Sequence, residues 1–163
     1  MSRKNRLPLA ERVAKAAEGA LAAPHFVSAI DILVGIGWLD AQAVERWRRG
    51  QADCLEEVVR ANLPRVSEAM RLFRSWTTAR GLFASPTAYV GRIPLGQTLR
   101  FSRSGNFAIE VSYRTHWVSP KHSEKKRERL AKRVSHDPEL VVIQPLNAAL
   151  GVAMPFFDFF WHA

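Results

Sequence analysis

The side chains most able to do chemistry in this sequence are arginines, lysines and one amide on two short segments. The expected outward groups of a short helix are Gln42, Glu45, Arg46 and Arg49, and the candidate contact residues among them are Gln42, Arg46 and Arg49. The segment 121–133 is strongly basic, and its candidate contact residues are Lys121, Lys125, Lys126, Arg129, Lys132 and Arg133. Guanidinium groups can grip phosphate in two places, and Arg and Gln also suit the edges of bases. Both segments therefore predict nucleic-acid contacts.

The charge of the chain supports the same partner class. The 163 residues carry 24 Lys+Arg, of which 18 are arginine, against 15 Asp+Glu, for a formal net charge of +9. Residues 1–60 hold 9 basic and 8 acidic residues, residues 61–138 hold 15 and 5, and residues 139–163 hold none and 2. The positive charge thus belongs to the middle of the chain. An alternative interpretation is that these charges only solvate the surface.

Residues for catalysis or metal binding are few. Glu110, Arg114 and His116 could act together on a phosphorylated or nucleic-acid substrate only if the fold brings them into one cleft. The five histidines lack metal-ligand spacing, and the sequence has neither a glycine-rich phosphate loop nor a G-x-S-x-G motif. We therefore expect a non-enzymatic protein that needs no cofactor.

The single cysteine, Cys54, excludes an internal disulfide and any site of several cysteines. A lone buried thiol fits the reducing cytoplasm, where we expect the protein to reside. The basic N-terminus is not followed by the apolar run of a signal peptide. Residues 140–157 lack charge, but Gln144, Pro145, Asn147 and Pro155 make them a poor spanning helix, so a membrane role is not expected.

Hydrophobic periodicity and capping residues predict a mainly α protein, a helical bundle with a small β element. Helices are expected at 8–22, 28–36, 41–49, from 52 onward, 64–80 and 120–134, and strands at 87–90, 98–102 and 139–144. Residues 107–117 alternate like a strand yet follow Asn106, a good helix cap, so these two signals alone leave helix and strand open. We expect a single helical domain over 1–145 and an apolar tail over 146–163.

Residues 28–50 resemble the helix-turn-helix of phage-repressor-type regulators. A short helix ends near Gly37, and a second helix ends with the run Val44-Glu45-Arg46-Trp47-Arg48-Arg49-Gly50. In this run one apolar residue is followed by two polar residues, the pattern occurs twice, and a glycine follows. In that motif the second helix lies in the major groove of DNA. Gly37 to Val44 is one residue longer than the usual spacing, and two packed helices with solvated arginines remain the alternative.

Longer stretches of the chain resemble an uncharacterised bacterial protein family that has no assigned activity. The motifs that carry this resemblance are 31-DILVGIGWL-39, 47-WRRG-50, 55-LE-56, 86-PTAY-89, 99-LRFS-102, 114-RTHWVSP-120, 123-SEKKRERL-130 and 138-PELVV-142. The resemblance covers about residues 28–143 and implies a helix start at Asn106, where family members have Asp-Pro. Longer members carry a zinc-ribbon-like segment that is absent from this chain.

The function predicted from the sequence is non-catalytic DNA binding by a small basic protein. The alternative is a protein-interaction or scaffold module, because residues 154–163 are rich in aromatic and other apolar side chains that could drive self-association.

Overall fold

The computed structural model describes residues 7–22, 25–94 and 96–121. The chain divides into two units, Met1–Ser119 and Pro120–Ala163, and of the second only Pro120 and Lys121 are described. The predictions for residues 122–163, including the rest of the basic segment, the strand at 139–144 and the apolar tail, lie outside the described residues.

The described part of the first unit is mainly α-helical with a small β element, as predicted. Its helices are α1 (Leu9–Leu21), α2 (Ala29–Gly35), α3 (Ala41–Arg48), α4 (Leu63–Ala79) and α5 (Phe107–Arg114), with a 3₁₀ turn at Leu55–Glu57. Its strands are β1 (Phe26–Val27), β2 (Phe83–Pro86) and β3 (Thr115–Val118). None of the helices in these ranges is long and apolar enough to cross a bilayer.

Side-chain caps begin α2, α3 and α4, within one residue of the helix starts expected from the sequence. Ser28 and Asp31 form a reciprocal capping box at the start of α2, and the Asp40 carboxylate accepts a 2.7 Å hydrogen bond from the Ala43 amide at the start of α3. Between these two helices Gly37 has φ +81°, a left-handed conformation that suits glycine at a helix end. Asn62 caps α4 in the same way as Asp40 caps α3.

The core lies between α1 and the helices that pack on it, α2 and α4. Val13 and Ala17 of α1 are buried, as are Leu33 of α2 and Val66 of α4. The α1–α2 contact is close: a Cβ added at Gly35 would lie 2.5 Å from the Ala16 Cβ. This contact therefore requires glycine at position 35.

The three strands form one antiparallel sheet in the order β1-β3-β2. Val118 of β3 pairs with Phe26 on one side and with Phe83 on the other. Because β3 follows α5 directly, residues 107–117 contain both structures that the sequence suggested: a helix to Arg114 and a strand from Thr115. The C-terminal end of α5 lies beside β2, since the Thr87 amide, just after β2, donates a 3.1 Å hydrogen bond to the Arg114 carbonyl.

Two local predictions differ from the structure. Instead of a fourth helix from residue 52, only the 3₁₀ turn forms, because the amides of Leu55 and Glu56 donate to the carbonyls of Arg100 and Phe101. The expected strands at 87–90 and 98–102 meet in a single bridge, Val90 with Thr98. In the first case tertiary hydrogen bonds replace regular secondary structure.

Candidate functional site

Helix α3 has one buried and one exposed side. Ala43, Val44 and Trp47 are buried, whereas Gln42 and Arg46 are exposed. Arg49, the residue after the helix, is also exposed. The spacing of i, i+4 and i+7 brings the three predicted contact residues, Gln42, Arg46 and Arg49, to the same exposed side. We call Gln42, Glu45, Arg46 and Arg49 the α3 surface.

Trp47 fixes the orientation of α3. Its side chain is 0% exposed, and its indole N–H donates a 2.8 Å hydrogen bond to the Arg100 carbonyl oxygen. The ring also meets Phe101 edge-on, with 4.9 Å between ring centroids. A rotation of α3 would break this bond and open the core, so the exposed side of the helix is set by its buried side.

One carboxylate on the α3 surface holds two of the arginines around it. Glu45 accepts from the Arg49 Nε at 3.3 Å, and the Arg92 Nη1 lies 3.0 and 3.1 Å from its two carboxylate oxygens. Desolvation of the carboxylate opposes the change, but the arginines lower the pKa of Glu45 below its ordinary value. Within the described ranges, Arg46 forms no ion pair.

The turn before α3 is covered by two cations. Trp38 is only 7% exposed, and the guanidinium carbons of Arg12 and Arg65 lie 5.7 and 5.1 Å from its ring centroid. Arg12 also donates to the Ile36 carbonyl at 2.5 Å. This packing explains how a large apolar residue occupies a turn where small or polar residues are usual.

Lys121 is exposed, and it is the one residue of the predicted basic segment that falls within the described ranges. The other candidates lie outside them: Lys125, Lys126, Arg129, Lys132 and Arg133. Their contacts with nucleic acid stay a prediction.

A groove of about 320 Å³ lies between α5 and the loop that precedes it. We call it the α5 groove; its lining residues are Tyr89, Thr98, Leu99, Arg100, Gly105, Phe107, Glu110 and Arg114. Phe107, Glu110 and Arg114 follow one another at i, i+3 and i+7, so one side of α5 forms its wall.

Glu110 forms hydrogen bonds with the loop on the opposite side of the α5 groove. Its carboxylate accepts from the Phe101 amide at 3.0 Å, from the Ser102 amide at 2.7 Å and from the Ser102 hydroxyl at 2.6 Å. These three donors fill most of the accepting capacity of the carboxylate. Glu110 therefore positions the loop that carries Phe101 and Ser102.

Arg114 brings an unusual cation to the groove. Its Nε atom is buried and has no hydrogen-bond partner in the described part of the chain, where it is also in no ion pair. A buried donor without an acceptor costs about 1–3 kcal/mol. The guanidinium carbon lies 5.9 Å from the ring centroid of Phe107, and that ring is 76% exposed.

His116 lies behind the groove and not in its wall. Its Nε2 is 2.6 Å from the Tyr89 hydroxyl, and its ring stacks on Phe26 at 4.8 Å with an interplanar angle of 9°. Burial lowers the pKa of His116. The structure thus brings Glu110 and Arg114 into one groove, whereas His116 is bonded to Tyr89 and no hydrogen bond joins it to Glu110 among the described residues.

Phe107, Tyr89 and Arg92 are the candidate residues that sequence reasoning missed. Phe107 follows the cap residue Asn106, so its place in the first turn of a helix was a usable indication of exposure. Tyr89 and Arg92 reach their positions through long-range contacts, with His116 and Glu45 respectively, that no local pattern reveals.

Burial raises the pKa of the Cys54 thiol, which favours the unreactive protonated form. Within the described ranges, no three His, Cys, Asp or Glu side chains come together as metal ligands. The chain matches no protein-family model, no curated protein and no solved structure. The residues of the α3 surface and the α5 groove are therefore the basis for a functional conclusion.

Proposed function

We propose that this protein binds nucleic acid without catalysing a reaction, through the α3 surface. The observation that carries the proposal is the exposure of Gln42, Arg46 and Arg49 along one side of a helix whose other side is anchored by Trp47. Such a helix can enter the major groove without any rearrangement of the core.

The roles of the three side chains follow from their donors and acceptors. Gln42 lies near the N-terminal end of α3 and can bond a base edge with both its amide oxygen and its amide nitrogen. Arg46 and Arg49 can donate to base edges or to phosphates. In this proposal α2 and α3 act as a helix-turn-helix-like pair, and residues 121–133 add contacts to phosphate. The proposed location of the protein is the cytoplasm.

Electrostatics supports the same surface. The chain has a formal net charge of +9, and Arg46 is not neutralised by a carboxylate in the described ranges. Arg49 and Arg92 share the single carboxylate of Glu45, so the group of three still carries an excess of one positive charge. A phosphate approaching α3 would therefore meet an attractive field.

The proposal is tested by fluorescence anisotropy of a labelled DNA duplex titrated with the full chain. Binding is expected at low salt, and six to ten phosphate contacts would weaken it by about 10³-fold or more between 50 and 200 mM salt. Absence of binding at low salt would contradict the proposal, and so would an affinity that does not depend on salt.

A further inference from the structure

We infer that the α5 groove is a second binding site, which takes one nucleotide unit with its base on Phe107 and its phosphate on Arg114. This site is separate from the α3 surface and does not depend on the function proposed for it. The nucleotide unit could be a free mononucleotide or part of a single strand, since both present the same base and phosphate.

Phe107 supplies the stacking surface. An aromatic ring that is 76% exposed in the first turn of a helix contributes little to the core. Among the described residues no other aromatic ring stacks on the Phe107 ring. The Arg114 guanidinium lies over one of its faces. A nucleobase could cover the free face of the ring, and such stacking tolerates any base.

Arg114 supplies the charge. Of its hydrogen-bonding groups, the buried Nε–H has no acceptor in the described part of the chain, and no described carboxylate lies within ion-pair distance of the guanidinium. The side chain lines the groove on the same wall as Phe107. A phosphate in the groove would give this guanidinium the counter-charge that the described residues do not supply.

Glu110 also lines the groove, but its negative charge is directed at the loop. Two amides and one hydroxyl donate to it from Phe101 and Ser102. Across the groove Arg100 adds a second guanidinium, held by the carbonyl oxygens of Ser102 and Arg103. The groove thus contains two guanidinium groups and one carboxylate, which leaves an excess of positive charge for an anion.

The size of the groove suits one nucleotide and not a larger ligand. Its volume of about 320 Å³ is at the lower end of the range of roughly 300–1,000 Å³ for small-molecule sites. Gly105 borders it, where an added Cβ would lie 3.6 Å from the Arg100 Nε and narrow the space beside that guanidinium.

The test is calorimetric titration of the full chain with AMP, adenosine and inorganic phosphate in turn, followed by anisotropy with labelled single-stranded oligodeoxyadenylate. We expect saturable binding of AMP, of the single strand or of both, and much weaker binding of adenosine or phosphate alone. Binding of AMP identifies a mononucleotide site, and binding of the strand alone identifies a single-strand site.

The variants that decide the question are Phe107→Leu and Arg114→Gln. Removing the ring should weaken binding about 5- to 100-fold, the loss expected for one stacked base. The matched controls are Phe83→Leu, another exposed phenylalanine, and Arg71→Gln, an exposed arginine of α4, and neither should change the affinity. If Arg114→Gln does not fold by circular dichroism, Arg114→Lys keeps the charge and tests the loss of the guanidinium fork.

Three results would overturn the inference. They are the absence of saturable binding of both AMP and the single strand at millimolar ligand, phosphate alone binding as tightly as AMP, and unchanged affinity in Phe107→Leu. Because neither Phe107 nor Arg114 belongs to the α3 surface, failure of duplex binding at α3 would leave the outcome at the groove readable.

Discussion

The α3 surface and the α5 groove use the same residue types in different ways. Each places a glutamate among arginines, Glu45 on α3 and Glu110 on α5. Glu45 accepts from Arg49 and Arg92, so it partly neutralises them. Glu110 accepts from backbone amides and a serine hydroxyl instead, and no carboxylate of the described residues forms an ion pair with Arg114. The partner of the carboxylate thus decides whether a neighbouring arginine is available to an outside anion.

The comparison also separates two kinds of contribution to stability. The pairs on the α3 surface are partly exposed, and solvent screens such pairs, so they contribute little to the free energy of unfolding. The bonds of Glu110 are partly buried and fix a loop whose Phe101 and Ser102 are buried. We expect substitution of Glu110 to destabilise the fold, whereas substitutions on the α3 surface should change binding alone.

Trp47 joins the two regions, so its truncation should have the largest effect. Trp47→Ala removes a fully buried ring from α3 and the donor to the Arg100 carbonyl, and we expect a loss of about 3–5 kcal/mol in the free energy of unfolding. Urea denaturation measures it. Trp47→Phe is the control: it keeps most of the packing and should cost about 1–3 kcal/mol, for the unpaired carbonyl. A loss below about 1 kcal/mol for Trp47→Ala would contradict the role of Trp47 in connecting α3 to the loop that contains Arg100.

Glu110→Gln and Glu45→Gln form a matched pair across the comparison. The Glu110→Gln variant would lose the charge-assisted bonds to the loop, and we expect a decrease of about 2 kcal/mol in the free energy of unfolding. Glu45→Gln should change the free energy of unfolding far less, because solvent screens the pairs that Glu45 forms. Equal effects of the two substitutions in urea denaturation would remove the distinction between the regions.

The sequence was sufficient for the helices that begin with a strong cap. Ser28, Asp40 and Asn62 each bond an amide of the first turn, and this interaction involves residues only three positions apart. Local spacing therefore predicted α2 and α3 and the exposure of Gln42, Arg46 and Arg49. The helix expected from residue 52 was wrong because its amides bond to residues 100 and 101, almost fifty positions away.

The α5 groove was only partly predictable for the same reason. Glu110 and Arg114 were recognisable as chemically capable residues, but the donors that occupy Glu110 come from a loop of irregular backbone. Likewise the bond between His116 and Tyr89 spans 27 residues. Local periodicity carries no information on such contacts, so the acid–base pair considered for Glu110 and His116 could be judged only from the fold.

We expect a smaller change in the free energy of unfolding from a decrease in pH, which acts through His116 behind the α5 groove. Burial lowers the pKa of His116 in the folded state, so the unfolded chain binds a proton more readily. This residue therefore decreases the free energy of unfolding as the pH falls from about 6.5 toward the lower folded-state pKa. In His116→Phe, which keeps a ring against Phe26, the decrease over that window should be smaller than in the wild type.

Urea denaturation at several pH values measures this difference between the two proteins. Subtracting the variant from the wild type removes the contributions of the other titrating groups. A pH dependence that is unchanged by the substitution would contradict the assigned role of burial at His116. The α3 surface, which contains no histidine, should be unaffected by the same change in pH.

The most direct test of the central claim is the affinity for duplex DNA of four charge-neutralising variants at one low salt concentration. On α3, Arg46→Gln should weaken binding about fivefold or more. Glu45→Gln should strengthen binding, because it removes a negative charge and releases Arg49 and Arg92. The paired residues Glu68 and Arg71 of α4 provide controls with the same changes in net charge, Glu68→Gln and Arg71→Gln. The account predicts large opposite effects on α3 and small ones on α4, and equal effects on the two helices would contradict it.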